Sequence, residues 1–110
     1  MDKKNMAMGT SMLLLKLLEQ QDMYGYQIIR ELEKRSNHIF SLKEGTLYPL
    51  LHMLEQQGDI ESFEQPAPTG RVRRYYRITP KGKKTLTGKK AEWSAYEKAV
   101  NLVLGGVVHA

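Results

Sequence analysis

Gly70-Arg71-Val72-Arg73-Arg74-Tyr75-Tyr76-Arg77-Ile78-Thr79-Pro80-Lys81-Gly82-Lys83-Lys84 is the stretch from which the fold is read. Arg73, Tyr75 and Arg77 alternate with Arg74, Tyr76 and Ile78, the two-residue period of a strand. Thr79-Pro80 then opens a helix, with Thr as N-cap and Pro at the first helical position. Between Arg71 and Lys90 there are nine Lys or Arg and no Asp or Glu; the rest of the chain holds eight basic and twelve acidic residues, so +9 stands against −4. A basic patch focused in this way is the electrostatic footprint of a polyanion binder. A merely solvated charged surface is the plainer alternative, but no counter-charge lies within this stretch of sequence.

Upstream, Asp59 to Gln65 reads as the partner strand, with Ile60 and Phe63 apolar, and Pro66, Pro68 and Gly70 mark the loop of a hairpin. Before it, Ser41-Leu42-Lys43-Glu44 fits the capping-box spacing, with Ser41 as N-cap of a helix that runs to about Gln57 and stops at Gly58. Leu47, Leu50, Leu51 and Leu54 share one face of that helix. Pro49 implies that the regular helix begins nearer Thr46 or that its first turns are bent. A preceding helix starts near Asp22 to Tyr24 and ends near Arg35, its stripe Ile28, Ile29 and Leu32; Gly25 would let another backbone approach. The first helix is expected from about Thr10 to Gln20, with Thr10 or Ser11 as cap. Its residues Met12 to Leu15, Leu17 and Leu18 are apolar nearly all round, so a second subunit is expected to cover part of it.

Downstream, Leu86, Trp93, Val100 and Val107 recur every seven residues, with Tyr96 and Val103 three residues after Trp93 and Val100. This is an a/d seam, interrupted by Lys89 at one d position. Gly105-Gly106 is the expected stop. The order of three helices, a hairpin and a long helix predicts a winged helix-turn-helix, mainly α with a small β-hairpin. In it the third helix enters the major groove and the wing reaches flanking DNA. We expect residues 1–79 to form the winged DNA-binding unit. Residues 80–110 would be a C-terminal dimerisation helix packed on the first helix, all within one compact domain, as 110 residues suggest.

Tyr24-Gly25-Tyr26-Gln27-Ile28, Glu44-Gly45-Thr46-Leu47-Tyr48-Pro49-Leu50-Leu51, Leu54-Glu55-Gln56-Gln57-Gly58 and Gly70 to Thr79 together resemble the PadR family of transcriptional regulators. The resemblance covers about Thr10 to Lys84, and the short C-terminus is similar to the small-subunit branch. It implies a homodimeric repressor that leaves its double-stranded DNA operator when an effector binds. In some small members, flat aromatic drugs stack between paired tryptophans at the dimer interface, and Trp93 matches that tryptophan's place.

The expected DNA-binding residues are Lys43, Thr46, Tyr48, Pro49 and His52 on and before the third helix, and Arg71, Arg73, Arg74 and Arg77 on the wing. Arginines there anchor through phosphate, whereas hydroxyls and apolar groups on the helix read bases. Tyr48 is alternatively a half-buried packing residue. Lys81, Lys83 and Lys84 either add phosphate contacts or only solvate the last helix. The expected effector pocket is Trp93, Tyr96, Met12 and Leu15; the bland reading of Trp93 is seam packing. The expected dimer interface is Leu14, Leu18, Leu86, Val100 and Val103.

Other classes fare poorly. The chain has no cysteine, which removes disulfides, thiolate metal sites and Cys nucleophiles and fits a cytoplasmic protein. No metal or cofactor is expected: His52 with Glu55 lacks a third ligand, and His38 and His109 have no discernible partners. No clustered His, Asp and Glu or phosphate-cradling loop points to an enzyme. Lys3 and Lys4 before Met12 to Leu18 superficially suggest a signal peptide, but Lys16 interrupts the apolar run, and no stretch reaches the ~20 apolar residues of a membrane span. The standing alternative is a winged-helix protein-interaction module without a small-molecule ligand.

Overall fold

A computed structural model describes residues 3–105, with side chains from residue 9 onward. In chain order it forms α1 (Lys3–Gln20), β1 (Met23–Tyr24), α2 (Gly25–Arg35), α3 (Glu44–Gln56), β2 (Ile60–Pro66), β3 (Val72–Ile78) and α4 (Pro80–Val103). The architecture is the expected winged helix with a long final helix, but the antiparallel sheet has three strands in the order β1-β3-β2. The third strand is Met23–Tyr24, which sequence reading assigned to the start of the second helix. Two residues are too few to show a period, and their pairing, Met23↔Tyr76 and Tyr24↔Tyr75, is made far along the chain.

The first helix also starts earlier than expected. Thr10 and Ser11 are not caps but lie well inside α1, and Ser11 is buried. Leu14, Leu15, Leu17 and Leu18 are enclosed by α2, β3 and α4 of the same chain. Each such leucine contributes roughly 2 kcal/mol by leaving water. These four leucines need no second subunit to cover them, whereas Met12 and Leu13 on the same helix stay half-buried. The remaining core comprises Met23, Ile28, Leu32, Leu47, Leu51, Leu54, Ile60, Tyr76 and Leu86.

The capping box is likewise corrected. The N-cap of α3 is Lys43, with extended backbone (φ −97°, ψ 159°) and no side-chain cap bond. Ser41 instead donates to Glu33 Oε2 at 3.4 Å. Pro49 therefore sits inside a helix that begins at Glu44. The C-terminus follows expectation: Gly58 adopts φ +81°, its N–H bonds Glu55 O at 3.0 Å, and the Asp59 N–H bonds Leu54 O at 3.0 Å, a Schellman stop. α2 ends in the same way without a glycine. Asn37 and His38 take left-handed conformations (φ 53° and 66°), with Asn37 N–H to Lys34 O and His38 N–H to Glu33 O. His38 also has a partner after all, its Nδ1 lying 3.3 Å from Glu33 Oε1.

The junction between α3 and α4 is densely tied. Thr79 Oγ1 accepts from the Gly82 N–H at 3.0 Å and donates to Gly58 O at 2.6 Å. The Thr79 N–H bonds Asp59 O at 3.0 Å, Thr85 Oγ1 donates to the buried Asp59 Oδ1 at 2.7 Å, and Lys81 Nζ donates to Gln57 O. Gly82 lets these backbones meet. A Cβ there would lie 2.7 Å from Ile78 Cγ1 and nearer still to the Asp59 carbonyl oxygen. Beyond Leu86, α4 leaves the core: from Thr87 to Leu104 only Lys89 and Val100 are even half-buried.

Candidate nucleic-acid interface

The exposed side of α3 carries Gly45, Thr46, Pro49, His52, Met53 and Gln56, while Leu47, Leu51 and Leu54 point into the core. Helical spacing enforces this division, since residues three and four apart share a face. Lys43 is exposed at the head of the helix. Tyr48 is 44% exposed at the edge of this surface, so it is both a packing residue and an accessible one. Its ring lies over Gly25 of α2: a Cβ at Gly25 would stand 2.9 Å from Tyr48 Cζ and 3.2 Å from Cε1. The close approach expected at Gly25 is thus made by a side chain and not by backbone.

The wing is a hairpin closed by Pro68-Thr69-Gly70 between Ala67 and Arg71. The Gly70 N–H bonds Ala67 O at 2.8 Å, the Ala67 N–H bonds Arg71 O at 2.7 Å, and Gly70 has φ +89°. Such a three-residue loop with a left-handed glycine is a standard hairpin closure. From Ile60↔Ile78 to Pro66↔Val72 the two strands stay in register. The pleat therefore sends Arg73, Tyr75 and Arg77 to one face and Arg74 and Tyr76 to the other.

The face of Arg73 and Arg77 holds an aromatic row that sequence reading missed. Tyr75 meets Tyr24 edge-on (centroids 5.4 Å, 71°) and stacks on Phe63 (5.7 Å, 20°). The Arg73 guanidinium lies 4.4 Å from the Tyr24 ring centre and that of Arg77 lies 4.2 Å from Phe63. Arg77 also faces Asp22 and Glu61, each at 3.7 Å, so its charge is largely balanced locally. The signal was present in Phe63 and Tyr75 at matched hairpin positions, but Tyr24 became legible only with β1.

The opposite face belongs with α3. Tyr76 is buried, and burial pushes its hydroxyl above the ordinary tyrosine value; the nearby Arg74 guanidinium opposes this, while Tyr48 and Glu55 of α3 add to it. Ser62 Oγ donates to Glu55 Oε2 at 2.6 Å, which ties the wing to α3 and engages the carboxylate that a His52 pair would require. Among the described residues no group of three His, Cys, Asp or Glu could hold a metal. Arg71 and Arg74 are exposed and make no ion pair among the described residues. The basic run thus divides: Arg74 lies on the α3 side, Arg71 lies beside the hairpin loop, and Arg73 and Arg77 clamp the outer aromatics. Of the three following lysines, Lys81 is engaged with α3, whereas Lys83 and Lys84 are exposed.

The residues expected at an effector pocket and dimer interface separate as well. Trp93 and Tyr96 are 37% and 41% exposed, with ring centres 5.8 Å apart, and Met12 is half-buried. Leu15 is sealed in the core and lines no surface. Leu14, Leu18 and Leu86 are also core residues of the single chain, because α1 and the start of α4 pack on each other. They offer no area to a partner, which corrects their assignment to the interface. Val103 is 87% exposed and Val100 half-buried. Val107 and His109 lie outside the described residues. No helix of the described residues is long and apolar enough to cross a membrane.

Residues 14–88 match the family model described as "Transcriptional regulator PadR-like family". The chain is 41% identical over 88 residues to "Transcriptional regulator Rv3488" of Mycobacterium tuberculosis, covering 80% of this chain and 76% of that protein. A solved PadR family transcription regulator from hypervirulent Clostridium difficile is 36% identical, with a TM-score of 0.73 over 86% of this chain and 96% of that one. A transcriptional regulator structure from Clostridium thermocellum, also 36% identical, gives a TM-score of 0.77 over 83% and 88% of the two chains. These matches are to regulators of transcription, not to enzymes.

Proposed function

The chain belongs to the PadR-like family of transcriptional regulators, and from that premise we propose that it is a homodimeric repressor that grips double-stranded DNA with α3 and the wing. The observation that carries this reading is the shared side of α3 and Arg74. Thr46, Pro49 and His52 are exposed there, Tyr48 flanks them, and the guanidiniums of Arg74 and Arg71 make no ion pair among the described residues. In this reading α3 and Lys43 meet the major groove, and Arg71 and Arg74, with help from Arg73, anchor to phosphate. Arg77 serves the fold of the wing more than the contact.

Dimerisation is assigned to residues 80–110, through the part of α4 that leaves the core. Trp93, Tyr96 and Val103 continue the seven-residue spacing on an otherwise solvated helix, and Leu102 and Leu104 add exposed apolar area. A flat aromatic or hydrophobic molecule held against Trp93 and Tyr96, with Met12 nearby, would act as the releasing effector. Two half-sites about one helical turn, ~34 Å, apart follow from the two-fold.

Selection from a random-sequence duplex pool, followed by titration at several salt concentrations, tests the DNA reading. Retention should fall steeply with salt, by ~0.9 in log–log slope per phosphate contacted. If no duplex is retained even at low salt, the repressor reading fails and the protein-interaction alternative replaces it. The effector part is tested separately by titrating Trp93 fluorescence with flat aromatic compounds. It is dropped if emission stays constant and Trp93→Ala leaves DNA release unaltered.

A further inference from the structure

Tyr48 stands at the boundary between the exposed side of α3 and the wing, and something must hold its ring there. The structure supplies the holder at the first residue of α2. Gly25 is buried, and the three atoms nearest to a Cβ built on it are Tyr48 Oη, Cζ and Cε1. All three belong to the far end of one side chain, so the space that glycine leaves is filled by the Tyr48 ring. The neighbouring residue, Tyr24, is locked into the wing by pairing with Tyr75 and by edge contact with its ring. One dipeptide therefore touches both halves of the proposed DNA grip.

We infer that Gly25 is a positioning residue for DNA binding: its missing side chain seats the Tyr48 ring at the angle at which α3 and the wing present it together. This rests on the proposed function. Gly25 has no left-handed backbone requirement, so alanine is conformationally allowed at that position. Alanine is also the better helix former. The closest atoms a methyl group would meet all belong to the Tyr48 ring, which must swing away, and a terminal ring that is 44% exposed can do so without unfolding the chain. Stability and DNA affinity should therefore separate.

The test uses the full chain, and the DNA is the duplex that wild-type protein selects from the random pool. Gly25→Ala should melt at the wild-type temperature or above it, yet bind that duplex roughly tenfold more weakly, the order of one lost hydrogen bond to a charged group. In a Tyr48→Ala background the same substitution should have no further effect on affinity, because the group it displaces is gone. Repeating the selection with Gly25→Ala should return an altered preferred sequence or lower enrichment. Wild-type affinity in Gly25→Ala, or an equal loss with and without Tyr48, overturns the inference. An affinity loss accompanied by a matching drop in melting temperature also overturns it, since Gly25 would then be merely structural. If wild-type protein selects no duplex at all, it is the proposed function that fails, and the two failures are thus distinguishable.

Discussion

Gly82 and Gly88 sit nearly two turns apart on α4 and should respond oppositely to one methyl group. At Gly82 the added carbon has no room against the Asp59 carbonyl and Ile78. Gly82→Ala should cost about 1–3 kcal/mol, the usual penalty for overpacking. At Gly88 nothing lies within 4 Å, so Gly88→Ala should gain up to ~1 kcal/mol from helix propensity. Urea denaturation of the two variants beside wild type checks both signs. Tyr76 offers a pH-dependent test. Its hydroxyl is held above the ordinary value of 10.0 by burial, so on raising the pH the unfolded chain loses this proton first. Binding fewer protons when unfolded means that stability falls as the pH climbs through 10.0 toward the folded value. Tyr76→Phe should flatten that fall, measured as the difference between the two melting curves against pH.

At the scale of elements, the wing is two-faced, and its arginines should not be equivalent. Arg74→Ala should weaken DNA binding across sequences and lower the salt slope by about one phosphate's worth. Arg77→Ala should leave the slope nearly unchanged, because that guanidinium is already balanced by Asp22 and Glu61. Equal effects of the two would contradict the division of the basic run. The sequence carried the alternation that creates two faces, but not which face turns toward α3. That choice depends on Tyr76 being buried and on β1 pairing across the chain, contacts that no local pattern encodes. The same limit explains the caps. Gly58 and Thr79-Pro80 were legible because their chemistry is local, whereas Ser41 fits a capping box yet bonds Glu33, a residue on another helix. Gly82 and Asp59 went unnoticed for a related reason, since their importance arises from backbones brought together by folding.

For the whole molecule, the a/d seam changes employment along its length. Leu86 is taken up by the core, and only the outward part from Trp93 to Val103 remains available. Val103→Glu should therefore weaken self-association by tenfold or more, in line with the ~1.5–3 kcal/mol of one buried aliphatic side chain, as read by sedimentation equilibrium. Leu14→Ala should do the reverse. It should lose about 2–5 kcal/mol of folding stability while leaving the association surface untouched. The seven-residue spacing alone could not assign Leu86 to one use or the other, because intrachain and interchain packing ask for the same residue type.

The bonds around Thr79 tie the start of α4 to the end of α3, so α4 is a lever joined to the helix proposed to read DNA. With 24 residues at ~1.5 Å each, its arm is about 36 Å long. Were two copies joined at the outer end, a change of about 5° in their crossing angle would shift the two copies of α3 relative to each other by about 3 Å, close to one base-pair step of ~3.4 Å. A molecule wedged between the outer ends would then need no path through the protein to spoil the spacing of two half-sites. Distance measurements between spin labels on the two copies of α3, with and without such a molecule, would register that swing as a shift of several ångströms.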